Sequence, residues 1–173
     1  MKKILLIIAI GILLPHSKSD ASVTLSAEDC TKYSASVEKV TDGDTLVVDI
    51  NLGFGVTLNG SKIRMYGINT PESRTRNALE KIAGLAAKER LIEILESSQS
   101  IEVCVNEKKP RGKFGRVIAI LFADGRNVNQ ALVDEGHATP YFGGRREPWA
   151  PQPTRTPSPS GLLPLLNSLG YMR

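Results

Sequence analysis

The chain has 173 residues, with 22 Lys and Arg against 18 Asp and Glu, for a formal net charge of +4. That length suits one domain with appendages rather than two full cores. A composition of 41 % hydrophobic and 23 % charged residues excludes a wholly disordered, collagen-like or multi-span membrane protein.

The start carries Lys2 and Lys3, an uncharged apolar run over residues 4–14, and small residues at Ser19 and Ala21. This is the pattern of a secretory signal peptide, assigned to residues 1–21. The apolar run is too short to span a bilayer, which takes about 20 residues. The mature protein is therefore expected in a periplasm or secreted, with no stable membrane association. Without the leader, 19 basic residues face 17 acidic ones, so net charge alone points to no polyanionic partner. Residues 22–35 form an amino-terminal extension. Cys30 and Cys104 are the only cysteines. In an oxidising compartment they read either as one disulfide or as two free thiols, and two cysteines alone make no structural zinc site.

Residues 36–147 read as the globular body. Val37, Lys39 and Thr41 alternate with their neighbours up to a turn at Asp42-Gly43, and residues 45–50 are rich in β-branched side chains. Asp-Gly between two such runs signals a hairpin. Residues 61–68 make a third strand, closed off by Pro71, which forces the residue before it out of helical geometry. Residues 76–98 are the clearest helix. Leu79, Ile82, Ala83, Ala86, Leu91 and Leu95 fall near one face, and Glu80, Lys88, Glu89, Glu93 and Glu96 lie elsewhere. Residues 101–105 alternate again, residues 117–122 are a near-continuous apolar strand, and Asp124-Gly125 turns it. Residues 128–135 form a short helix with Asn127 as N-cap and Gly136 as stop. Five strands with a helix between the third and fourth is the order of an OB-like barrel, an α+β, mainly β architecture with two or three helices. From Pro148 onward, six of the ten prolines interleave with Ser, Thr and Gln, so residues 148–173 read as an extended, disordered tail.

Four segments concentrate the side chains that can do chemistry. Thr41-Asp42-Gly43-Asp44-Thr45 offers two carboxylates at a tight turn, or is a hairpin turn and nothing more. The strand Ile63-Arg64-Met65-Tyr66-Gly67-Ile68 carries an arginine and ends in Asn69-Thr70-Pro71-Glu72. Lys108, Lys109, Arg111, Lys113 and Arg116 crowd a basic loop that leads into the next strand. Tyr141-Phe142-Gly143-Gly144-Arg145-Arg146 sets aromatics beside arginines, which suits base stacking and phosphate contact. Phosphodiester cleavage needs cations over the phosphate, a metal or its equivalent on a non-bridging oxygen, and a base for water. Asp44, Asn69 and the Thr70 carbonyl are hard oxygen donors suited to calcium. Arg64 and Arg116 can each fork onto a phosphate, and Glu72 is the carboxylate near the strand end left to take a proton.

Together, Asp42-Gly43-Asp44-Thr45, Arg64 with Asn69-Thr70-Pro71-Glu72, Lys113-Phe114-Gly115-Arg116 and Ala123-Asp124-Gly125 resemble the staphylococcal nuclease (thermonuclease) family in order and spacing over residues 36–142. The resemblance implies an OB-like barrel and a calcium-dependent endonuclease on DNA and RNA that leaves 3′-phosphates. By similarity Asp44 becomes a metal ligand with Asn69 and Thr70, Arg64 and Arg116 become phosphate clamps, and Glu72 orients or deprotonates the attacking water. Lys113, Phe114 and Tyr141 fall where the family contacts the terminal phosphate and base. Two positions depart from the pattern: Asn69 stands where a second aspartate is usual, removing one negative charge from the metal site, and Phe114 stands where a tyrosine is common. His137 has no Ser or Cys partner at a meaningful spacing and is assigned no catalytic role. The protein is expected to act as a monomer. The alternatives are a non-catalytic nucleic-acid-binding module on the same barrel, or a barrel turned to protein contacts through its prolyl tail.

Overall fold

The computed structural model describes residues 30–105, 110–145 and 149–150. The expected signal peptide, Lys108, Lys109, Arg146 and nearly all of the proline-rich tail lie outside the described residues, as does the side chain of Lys113.

Three antiparallel strands open the fold: β1 (Thr31–Asp42), β2 (Thr45–Gly53) and β3 (Val56–Met65). Period-two patterning builds the inner wall, because Leu46, Val48 and Ile50 turn inward while Thr45, Val47 and Asp49 turn outward. The expected hairpin is present. Asp42 pairs with Thr45, so its two turn residues are Gly43 and Asp44, one step beyond the expected pair. Gly43 is required there, since a Cβ would meet the Ala87 Cβ at 2.8 Å and the Thr70 side chain at 3.0 Å. Register shifts in β1 bend the strand, as closing a small barrel demands.

After β3, Tyr66 and Gly67 make a turn, with Gly67 at φ 74°, into the two-residue strand β4 (Ile68–Asn69). The expected strand over residues 61–68 is thus broken by a left-handed residue that glycine tolerates. At its other end β3 starts earlier than expected. Residues 51–60 form an exposed ribbon turning at Gly53, Phe54 and Gly55, all at positive φ. Helix α1 (Ala78–Glu96) begins two residues later than expected, because the Asn77 side chain accepts from the amides of Leu79 and Glu80 and fixes the start. Its buried face is Gly84, Ala87, Leu91, Ile94 and Leu95; Leu79, expected on that face, is exposed in the first turn.

Strand β5 (Ile101–Val105) pairs antiparallel with β1 and with β6 (Val117–Ala123). Strand β6 then pairs with β3 in parallel, at Ile63↔Val117, Arg64↔Ile118 and Met65↔Ala119. That parallel seam closes a five-stranded barrel with two helices, the OB-like α+β architecture expected from the element order. The chain finishes with β7 (Arg126–Asn127), α2 (Val128–Asp134, capped by Asn127) and β8 (Thr139–Pro140), which pairs with β4. The barrel interior is Leu46, Val48, Ile63, Met65, Val103 and Leu121, closed off by Leu91, Val128 and Leu132 from the helices.

Strand β1 begins at Thr31, ahead of the expected domain start at residue 36. Residues 31–34 are paired with β5, and Cys30 just before them is bonded to Cys104 with Cα atoms 5.4 Å apart.

Candidate active site

The Gly43-Asp44 turn, the end of β3 and the short β4 meet at one end of the barrel. The Asp44 carboxylate is buried there and fully engaged. Its Oδ2 lies 3.0 Å from Arg64 Nη1 and accepts the Thr70 amide at 3.0 Å, and its Oδ1 accepts the Thr45 hydroxyl at 2.9 Å. Arg64 is 7 % exposed, so its charge requires compensation. The guanidinium receives it as a fork: Nη1 also donates to the Met65 carbonyl at 3.2 Å, and Nη2 donates to Asn69 Oδ1 at 3.3 Å. Asp44, Arg64, Asn69 and Thr70, spread over the sequence, are thereby one bonded group.

Arg116 enters across the parallel seam. Arg64 pairs with Ile118, and Arg116 sits just before β6, two residues ahead of Ile118 (roughly 7 Å along an extended chain) and outside the residues that line the cleft. Its Nε is buried and makes no hydrogen bond among the described residues, while its guanidinium carbon lies 5.9 Å from the centroid of the Phe114 ring. A buried donor without an acceptor is uncommon in folded proteins. Phe114 itself is 91 % exposed at φ 62° in the tight turn Lys113–Gly115, and it packs on Arg116 rather than lining the cleft beside Arg64. Glu72 is exposed, two residues past Thr70, in the loop that joins β4 to α1.

That cleft, of about 180 Å³, is lined by Arg64, Tyr66, Ile68, Ile118, Tyr141 and Phe142, with the Met65, Gly67 and Gly143 backbone region. Tyr141 is held in it by its amide, which donates to the Gly67 carbonyl at 2.8 Å, and by its hydroxyl, which donates to the Gly144 carbonyl at 2.9 Å. Two contributors, Tyr66 and Asn129, escaped the sequence reading, while Phe142 lies in the aromatic segment it singled out. Tyr66 and Phe142 pack edge to face at 5.9 Å across the cleft. Buried Asn129 accepts the Leu121 amide at 2.9 Å and donates to the Tyr66 carbonyl at 2.8 Å, fixing the turn after β3 against β6. Tyr66 sits two residues after Arg64, a same-face spacing visible in the sequence; Asn129 carries no such signal.

Arg90 and Glu135 clamp α1 to α2 at 2.6 Å, with Glu93 and Arg126 alongside. This pair raises the Arg90 pKa and, through Arg90's hydrogen bond, lowers that of Glu135. His137, beside the clamp and away from the cleft, has its pKa lowered by burial. Among the described residues no three His, Cys, Asp or Glu side chains cluster to cage a metal. The Asp44 and Asn69 oxygens are hard donors of the kind an oxygen-seeking cation takes, with one formal negative charge between them; both meet the Arg64 guanidinium, and Thr70 joins them through its amide rather than its carbonyl.

Comparison with known proteins agrees with this arrangement. Residues 62–152 match the family model described as Staphylococcal nuclease homologue. The chain is 28 % identical over 148 residues to Thermonuclease of Staphylococcus intermedius, an overlap of 82 % of this chain and 83 % of that protein. It is 27 % identical over 126 residues to Endonuclease YncB of Bacillus subtilis (strain 168), covering 72 % of this chain and 51 % of YncB. It is 29 % identical over 103 residues to SPbeta prophage-derived endonuclease YokF of the same organism, covering 60 % of this chain and 32 % of YokF. The chain thus spans about half the length of YncB and about a third of YokF. With the barrel, the Asp44–Arg64 group and a family match over more than half its length, the chain belongs to the staphylococcal nuclease homologue family.

Proposed function

We propose that this nuclease-family protein is a calcium-dependent endonuclease that hydrolyses phosphodiester bonds of DNA and RNA and leaves 3′-phosphate ends. The observation that supports the proposal is a buried arginine lining the cleft, with a second arginine just ahead of the strand that pairs with it. Arg64 is buried and forked between Asp44 and Asn69, and Arg116, just ahead of β6, keeps a buried Nε that makes no hydrogen bond among the described residues. Two planar forks offset the charge that builds on the non-bridging oxygens as phosphorus becomes five-coordinate. Glu72 takes the proton of the attacking water, a role typically worth about 10² to 10⁴ in rate. Water adds to phosphorus, the P–O5′ bond breaks, the 5′ oxygen leaves and takes a proton from solvent water to become a hydroxyl, and the phosphate stays on the 3′ side. Asp44, Asn69 and the Thr70 carbonyl would hold calcium, which supplies Lewis-acid polarisation of a phosphoryl oxygen. Tyr141 and Phe114 offer ring faces to bases, and Lys113 adds positive charge at the terminal phosphate.

The leader-like residues 1–21 and the Cys30–Cys104 bond support a periplasmic or secreted protein, and we propose that it acts as a monomer. Asn69 favours the second reading, a nucleic-acid-binding module without catalysis, because one formal charge is weak recruitment for a divalent ion.

The test is a cleavage assay on purified protein with calcium, with chelator and with magnesium. Calcium-dependent cleavage that Glu72→Gln and Arg116→Ala each lower by about two orders of magnitude or more is expected. Tight DNA binding with no cleavage under any of these conditions would establish the module instead.

A further inference from the structure

The loop that carries Glu72 is gripped from three sides. Its N–H groups point at carboxylates from separate elements: Thr70 donates to Asp44 Oδ2 at 3.0 Å, Ser73 donates to Asp42 Oδ1 at 3.1 Å, and the Glu72 amide makes a longer contact of 3.5 Å to Glu80 Oε1. Between them Pro71 has a fixed φ and no donor to place. Asp42 is itself buried and faces Arg74 at 3.7 Å. Behind the loop, α1 presents Gly84. A Cβ at Gly84 would stand 2.6 Å from the Glu72 carbonyl carbon, 2.7 Å from the Pro71 oxygen and 2.7 Å from the Ser73 nitrogen. These neighbours are backbone atoms, so they cannot rotate aside. The helix has therefore taken a glycine in its interior, at a cost of about 1 kcal/mol relative to alanine, where the loop backbone lies flat against it.

We propose that Asp42 and Gly84 are positioning residues that aim the Glu72 carboxylate at the phosphate between Arg64 and Arg116. The inference rests on the nuclease reading and extends it to residues that touch no substrate. Asp42 holds the loop at Ser73, just beyond Glu72, while Asp44 holds it at Thr70, two residues before. Gly84 sets how closely the intervening backbone approaches α1. A shift of about 1 Å in a catalytic group can lower a rate roughly 100-fold, and an added Cβ forces a displacement of that order.

The experiment is steady-state kinetics on DNA with calcium for the full protein carrying Asp42→Ala, Asp42→Asn or Gly84→Ala, each alone and combined with Glu72→Gln. Asp42→Ala and Gly84→Ala are expected to lower kcat about 10- to 100-fold with KM within about three-fold. Asp42→Asn, whose amide oxygen still accepts from Ser73, is expected to bring kcat back to within about three-fold of wild type. In the Glu72→Gln background none lowers the residual rate further, because the group they aim is gone. An equal proportional loss in that background, or an unimpaired Asp42→Ala, overturns the proposal. Should Gly84→Ala fail to fold, the Asp42 variants decide the matter alone. A wild-type protein that cleaves nothing refutes the nuclease reading and this proposal with it. Wild-type cleavage with a crippled Glu72→Gln and a fully active Asp42→Ala refutes only the positioning roles.

Discussion

Reducing the Cys30–Cys104 bond should lower thermal stability by a calculable amount. The two cysteines are 74 positions apart, so in the chain-entropy treatment the bond removes about 15 cal/mol/K from the unfolded state, or about 4 kcal/mol at 25 °C. Little native packing opposes this figure. Residues 31–34 are held by pairing with β5, and Cys104 by packing against Ile120 and Phe122, contacts that do not themselves require the bond. A barrel of roughly 115 residues has an unfolding entropy near 0.25 kcal/mol/K, so the loss corresponds to a fall in Tm of about 15–20 °C. Scanning calorimetry of oxidised protein, of protein under a phosphine reductant, and of the Cys30→Ala/Cys104→Ala double variant measures it. The two perturbed forms should agree within a few degrees, and cleavage at 25 °C should survive, because the bond joins β1 to β5 while the site straddles β3 and β6. A fall of less than about 4 °C would refute the reasoning and show that strand pairing alone holds the start of β1.

Three further outcomes follow from the site and the helix clamp. Asn69→Asp adds a second carboxylate beside Asp44 and is expected to tighten calcium binding by about one to two orders of magnitude; equal or weaker affinity in a calorimetric titration would place Asn69 outside the metal's ligand set. Arg64→Ala removes the partner of a buried carboxylate and is expected to destabilise the fold by about 3 kcal/mol as well as abolish cleavage; urea denaturation showing wild-type stability would mean that Thr45 and the Thr70 amide satisfy Asp44 unaided. His137 and Glu135 both have lowered pKa values, His137 through burial and Glu135 through the Arg90 hydrogen bond. In each case the unfolded chain takes up its proton at higher pH than the folded one, so stability declines as pH falls, below about 6.5 for His137 and then below about 4.5 for Glu135. Melting temperatures from pH 7.5 to 4 should show the first step in wild type and lose it in His137→Gln.

Features fixed by neighbouring residues were legible in the sequence. The hairpin around Gly43, the Asn127 cap, the Gly136 stop and the apolar run of β6 each depend on a few adjacent side chains. The set Asp44, Arg64, Asn69 and Thr70 was legible through motif spacing, and the fold joins them by direct bonds. What escaped depends on partners distant in the chain. Strand β1 extends back to Thr31 because β5 is there to pair with it. Residues 51–60 continue two strands beyond the barrel with few apolar anchors to reveal them. Asn129 becomes a site support only because a β6 amide and the Tyr66 carbonyl converge on it. Gly84 looks like a flaw in a helix until the Glu72 loop is seen pressed against it.

The parallel seam between β3 and β6 carries one more implication. The other barrel pairings among the described residues are antiparallel, whereas this one is parallel and unites segments more than fifty residues apart across an intervening helix. Arg64 belongs to one lip of that joint and Arg116 precedes the other, so closing the seam is what brings these two parts of the chain alongside each other. On the proposed reading, a grip on phosphate would belong to the closed barrel alone, and an opening confined to that joint would cost activity while most of the architecture still stands.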